Sequence, residues 1–121
     1  MRKLETRMNN AIRGRKNFSS CNTTVKTCSF FDTEGVYGEA SKVFLHGNHI
    51  ATYDHVNKEL SLFDGGWQSN TTKSRLNALC YEFATGFSVF QKNWDWFVSD
   101  FQGKTVKDFT DGITVNFNGC F

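Results

Sequence analysis

The 121-residue chain contains no proline, and no stretch approaches the roughly 18 consecutive apolar residues that a membrane-spanning helix requires. The second absence excludes a helical membrane anchor, and the opening residues also lack the apolar core of an export signal. A cytosolic protein is therefore expected. With neither proline nor an internal repeat, nothing divides the chain, and its length suffices to bury one hydrophobic core without metal or disulfide staples.

Catalytic signatures are missing too. No serine or cysteine sits in a nucleophile elbow, and Gly65-Gly66 lacks the spacing of a phosphate-binding loop. His46, His49 and His55, with Asp54 and Glu59 nearby, are the first places to seek a general acid or base. Histidines around a hairpin turn are ordinarily surface residues, however, and no nucleophile, base and orienting group can be named together. The expectation is a non-enzyme with no catalytic residue and no cofactor.

Cysteine is present but not arranged for structure. Cys21, Cys28, Cys80 and Cys120 are even in number, yet without an export signal they read as reduced thiols. Cys21 and Cys28 are spaced more widely than a zinc knuckle requires, so no metal is expected there. Asp95, Asp100, Asp108 and Asp111, spread over a hairpin and a loop, read as a solvated edge rather than a divalent-ion site.

What is present begins with charge. The net charge is +2, but residues 1–16 carry Arg2, Lys3, Arg7, Arg13, Arg15 and Lys16 against Glu5 alone, so the remainder is net acidic. A basic arm on an acidic body locates where a nucleic acid or an acidic partner would be met. Leu4, Met8, Ala11 and Ile12 recur at helical spacing within this arm, and Gly14 supplies a stop.

Residues 17–41 read as a variable insert, with Asn22–Thr27 strand-like and 35–40 a loop. From Lys42 the alternation sharpens into three antiparallel strands, with a turn at Gly47-Asn48. Asp64-Gly65-Gly66-Trp67 then leads through the capping residues Ser69–Thr72 into a helix over 71–85, on which Leu76, Leu79, Cys80, Phe83 and Ala84 share one face. A hairpin turning at Lys92-Asn93 and a strand through Ile113, Val115 and Phe117 complete the pattern. The fold class is α+β: one antiparallel sheet of five or six strands, covered on one face by an N-terminal and a central helix. Residues 42–121 form its compact core.

Three features invite binding. Lys73 and Arg75 follow the start of the central helix, whose unpaired N–H groups and positive dipole end suit an anion. Eleven of the last 41 residues are aromatic; of these Trp94, Trp96 and Phe97 are the candidate contact residues, although core packing is the usual use of such side chains. Trp67 reads as a core anchor.

The ordered segments Leu45-His46-Gly47-Asn48-His49-Ile50-Ala51, Gly66-Trp67 with Thr71–Ala78, Gln91–Trp96 and Phe109–Ile113 resemble a family of small proteins encoded by tailed bacteriophages. The resemblance implies a viral accessory protein acting in the host cytoplasm and carries over no catalytic residue. Two classes of function follow. The first is a binder that antagonises a host protein or nucleoprotein complex, such as a defence nuclease or a polymerase. The second is a DNA- or RNA-binding protein using Arg2, Lys3, Arg7, Arg13, Arg15, Lys16, Lys73 and Arg75. The net acidic body favours the first.

Overall fold

Hydrophobic alternation at period two and an amphipathic period of 3.6 organise the chain into nine strands and two helices in the computed structural model, which describes residues 1–100, 103 and 105–116. The order is α1 (Lys3–Arg13), β1 (Phe18–Ser20), β2 (Thr23–Phe31), β3 (Tyr37–Leu45), β4 (Asn48–Asp54), β5 (Glu59–Leu62), α2 (Asn70–Phe83), β6 (Ser88–Lys92), β7 (Asp95–Ser99), β8 (Val106–Asp108) and β9 (Ile113–Asn116). The class is α+β. Strands β1-β2-β3-β4-β5-β9 form one antiparallel sheet in that spatial order, and β6-β7-β8 form a second. The sequence pattern anticipates a single sheet. The second is separate because β6 packs on α2 while β9 returns to pair with β5.

Residues 17–41, expected as a loop and strand insert, supply β1, β2 and the start of β3 to the main sheet. Residue by residue from Thr23 to Phe31, β2 pairs with β3, and the stretch expected as a loop at 35–40 contains the start of β3. Its polar character misled because only alternate residues face inward. Val25 and Val43 are fully buried opposite one another, whereas Lys26 and Lys42 face out. Two turns also shift by one residue. The β3–β4 turn is His46-Gly47, at φ 52° and 79°, and the β6–β7 turn is Asn93-Trp94, at φ 52° and 71°.

Met8 and Ile12 of α1, Leu76, Leu79 and Cys80 of α2, the inward residues of the main sheet, and Val89, Trp96 and Val98 of the second sheet share one core. The helix α2 is the centre of that core, meeting β4 and β5 as well as β6. Ser69 caps it by accepting the Thr72 N–H at 3.1 Å. Phe101, Phe117, Phe121 and Cys120 lie outside the described residues. No helix among the described residues is long and apolar enough to cross a membrane.

Candidate functional site

Local chemistry fixes the connector between β5 and α2 tightly. Gly65 and Gly66 have φ of 71° and 83°, a region costly for residues with a Cβ. A Cβ on Gly65 would also lie 3.1 Å from Ile50 Cγ2 and 3.2 Å from Asn48 Cβ, so glycine lets the loop press onto β4 without displacing these side chains. The Asp64 carboxylate accepts the Gly66 N–H at 2.7 Å, and Asp111 Oδ1 accepts the Asp64 N–H at 3.0 Å. The Trp67 carbonyl accepts the Thr72 hydroxyl at 3.2 Å and the Ser69 N–H at 3.1 Å.

This bonding turns the Trp67 side chain outward, where it is 74% exposed. The expected core anchor is therefore a surface residue. The core forms without it, from Ile50, Leu76, Leu79 and the other buried residues. Beside Trp67 opens a cavity of about 420 Å³, with Leu45 and Ile50 as its apolar part and His46, Asn48 and Thr71 as its polar part.

A second tryptophan stands at the same end of the molecule. Asn77 grips β6 by accepting the Val89 N–H at 2.8 Å and donating to the Val89 carbonyl at 2.9 Å. One helical turn earlier, Lys73 Nζ donates to Gln91 Oε1 at 3.2 Å and lies 5.9 Å from the centre of the Trp96 ring. Advance along β6 thus runs back towards the start of α2, and the β6–β7 tip carries Trp94 there, 89% exposed. Of the other candidate aromatics, Trp96 is buried edge-on against Phe109, and Phe97 is half-buried and stacked on Phe90 across the strand pair.

The candidate anion site comes apart. Arg75 is 4% exposed and points into the protein, where Nη1 meets Glu5 Oε2 at 2.8 Å, Nε donates to Thr23 Oγ1 at 3.0 Å and Nη2 to Asn22 Oδ1 at 3.2 Å. Burial raises the Glu5 carboxyl pKa, but hydrogen bonds from Ser74, Arg75 and the Arg2 N–H outweigh it and hold the group below its ordinary value. Lys73 is drawn to Gln91, so the two cations do not converge at the helix start. The basic arm is likewise partly spent: Arg13 pairs with Glu82, Arg15 with Glu39, and Arg7 lies 5.2 Å from the Phe18 ring centre. Arg2, Lys3 and Lys16 remain at the surface.

The histidines do not assemble a reactive centre. His55 Nε2 lies 2.7 Å from Ser41 Oγ, which meets Thr27 Oγ1 at 2.6 Å, but Ser41 has no exposed surface for a substrate to reach. His49 Nε2 lies 2.7 Å from Thr52 Oγ1, and His46 sits exposed in its turn. Among the described residues, no three His, Cys, Asp or Glu side chains gather in a metal-holding group.

The segments that resemble phage proteins, Leu45–Ala51 and Trp67–Ala78, thus meet around the α2 entrance. The Kyanoviridae Gp96 protein family model matches residues 1–116. The chain belongs to this tailed-cyanophage family. No curated protein and no solved structure matches the chain. In this Gp96-family protein Trp94 is an exposed contact candidate, as the sequence suggests, whereas the exposure of Trp67 was not anticipated. The legible signal for Trp94 was Asn93-Trp94 between two alternating strands, where a two-residue turn calls for Asn-Gly.

Proposed function

We propose that this phage protein is a small non-enzymatic accessory protein that binds a host protein through the α2 entry surface and antagonises the machinery to which that protein belongs. Trp94 carries the reading. A tryptophan in the left-handed region costs on the order of 1–2 kcal/mol relative to a relaxed backbone, and at 89% exposure it recovers little by burial within its own chain. Strain held at an exposed position is repaid when a partner buries the ring. Tryptophan is also enriched among residues that dominate protein–protein binding energy. Trp67, exposed near the start of α2 beside a cavity, offers a second apolar ring.

The test is a tagged pull-down from cyanobacterial host lysate, with and without nuclease, using the parent and a Trp67→Ala/Trp94→Ala double variant. Capture of a host protein that survives nuclease and is lost in the double variant supports the reading. Capture that nuclease abolishes, or that the variant retains in full, overturns it.

A second reading, nucleic-acid binding, draws on a different surface. Lys26 and Lys42 are direct cross-strand neighbours on the outer sheet face, a locally repulsive pair, with Asp54 and Glu59 lining the same groove as Lys42. Lys26 Nζ lies 5.7 Å from the Phe44 ring centre. This face would meet phosphates, and Arg2, Lys3 and Lys16 are further surface cations. Binding to single-stranded DNA or RNA that falls steeply with salt would favour it over the first reading.

A further inference from the structure

We infer that a second copy of this chain docks on the free edge of β2, joining two main sheets into one continuous antiparallel sheet across a two-fold axis. The short β1 covers β2 only from Thr23 to Val25. Asn17 Oδ1 then caps the edge by accepting the Thr27 N–H at 2.9 Å. That bond shows which way the odd-numbered residues of β2 turn their backbone groups, since strand geometry alternates. The N–H and C=O groups of Ser29 and Phe31 therefore point away from β3 along an edge that no strand among the described residues covers.

Edge strands are ordinarily blunted with lysine, proline, bulges or a covering segment. Thr27-Cys28-Ser29-Phe30-Phe31 has no charge and no proline, and β2 pairs with β3 through this whole stretch without a register shift. The same end of the hairpin exposes Phe31 and Tyr37, whose ring centres lie 5.7 Å apart, and Phe30, whose ring covers Gly38.

The edge is complementary to itself. An antiparallel register with Ser29 opposite Phe31 of a second copy exchanges four backbone hydrogen bonds around the axis and leaves the Asn17–Thr27 bond intact. Phe30 then faces its own equivalent in the close, non-hydrogen-bonded position, where aromatic pairs stabilise a sheet. Beyond Phe31 the chain turns towards β3, as the bonds from Asp32 N–H to the Val36 carbonyl and from Gly35 N–H to the Asp32 carbonyl require. Each acidic Asp32–Glu34 tip thereby comes alongside Lys26 of the other copy. That contact sets an opposite charge beside Lys26. A self-complementary patch of this kind closes as a two-fold dimer rather than growing into a fibre.

The experiment is sedimentation of the purified full-length chain over a concentration series, with amide hydrogen exchange read residue by residue. Two variants accompany it: Ser29→Pro, which removes an outward donor at an edge position that tolerates proline, and Phe30→Asp, which sets two like charges face to face across the axis. A monomer–dimer equilibrium is expected, with the Ser29 and Phe31 amides slowing as dimer accumulates. Each variant should weaken association about tenfold or more, while the circular dichroism and melting of the monomer stay unchanged. If one variant fails to fold, the other together with the exchange data decides the matter. A parent chain that remains monomeric at millimolar concentration overturns the inference. So does a dimer in which the Ser29 and Phe31 amides exchange as fast as in the monomer, or an edge protected only when another protein is added.

Discussion

Trp67 and Arg75 lie eight residues apart around the start of one helix, and each occupies the place that composition assigns to the other. The apolar ring is at the surface, 74% exposed, and the cation is inside, 4% exposed. The interior end is saturated: Glu5 accepts from Ser74 and Arg75 while Arg75 also reaches Asn22 and Thr23, so the node ties α1, α2 and the β1–β2 corner together. The outer end has the reverse character, with backbone groups tied down and large side chains left without cover. Rigid backbone beneath exposed rings suits a binding surface, because little ordering entropy remains to be lost on contact.

The largest effect that would break this contrast is expected at its buried end. Arg75→Ala leaves the Glu5 carboxylate without its charge partner in the interior and should cost about 3–5 kcal/mol, read as a shift in the urea unfolding midpoint at constant slope. A change near zero would mean that Glu5 finds water in the native state. At the outer end, Trp67→Ala should alter stability by less than about 0.5 kcal/mol, as exposed positions do, while weakening partner binding by about 2 kcal/mol. Stability loss of core size with binding intact would reverse the assignment. Trp94→Gly should act on both quantities in opposite directions, raising stability by about 1 kcal/mol through relief of the left-handed backbone and lowering affinity. Parallel melting and binding curves would separate the two.

The gentlest probe is pH. Burial is the leading cause that lowers the pKa of both His49 and His55 from 6.5. The folded state therefore takes up protons less readily than the unfolded chain. Stability should be complete above pH 6.5 and decline as pH falls below it. Urea midpoints on either side of that value check the sign, and a midpoint that rises on acidification would contradict it. Cys80, its thiol pushed up to about 12 by burial, should resist alkylation in the native protein while the exposed Cys21 and Cys28 react.

Much of the architecture was legible because it is local. The spacing of Leu76, Leu79, Cys80 and Phe83 placed α2, and Ser69 marked its start to within a residue or two. Alternation placed β3, β4 and β5 for the same reason. The β2–β3 hairpin was harder to read: Lys26, Cys28 and Ser29 are exposed, so the alternation of buried apolar residues fades after Val25. The shifted turn at Asn93-Trp94 escaped because tryptophan is not a residue that positive φ favours.

The candidate site divides along the same line. Sequence alone determined the helix, its cap, the glycine entry and the aromatic wealth around it, since each depends on neighbours within a few positions. Only the tertiary structure decided which of those groups faces the solvent. Arg75 turns inward because Glu5, 70 residues earlier, offers a buried carboxylate. Trp67 turns outward where bonds to Asp64, Ser69 and Thr72 fix its backbone, and the core closes without it. Burial is settled by competition for a shared interior among segments distant in the chain, and no local pattern records which of them wins.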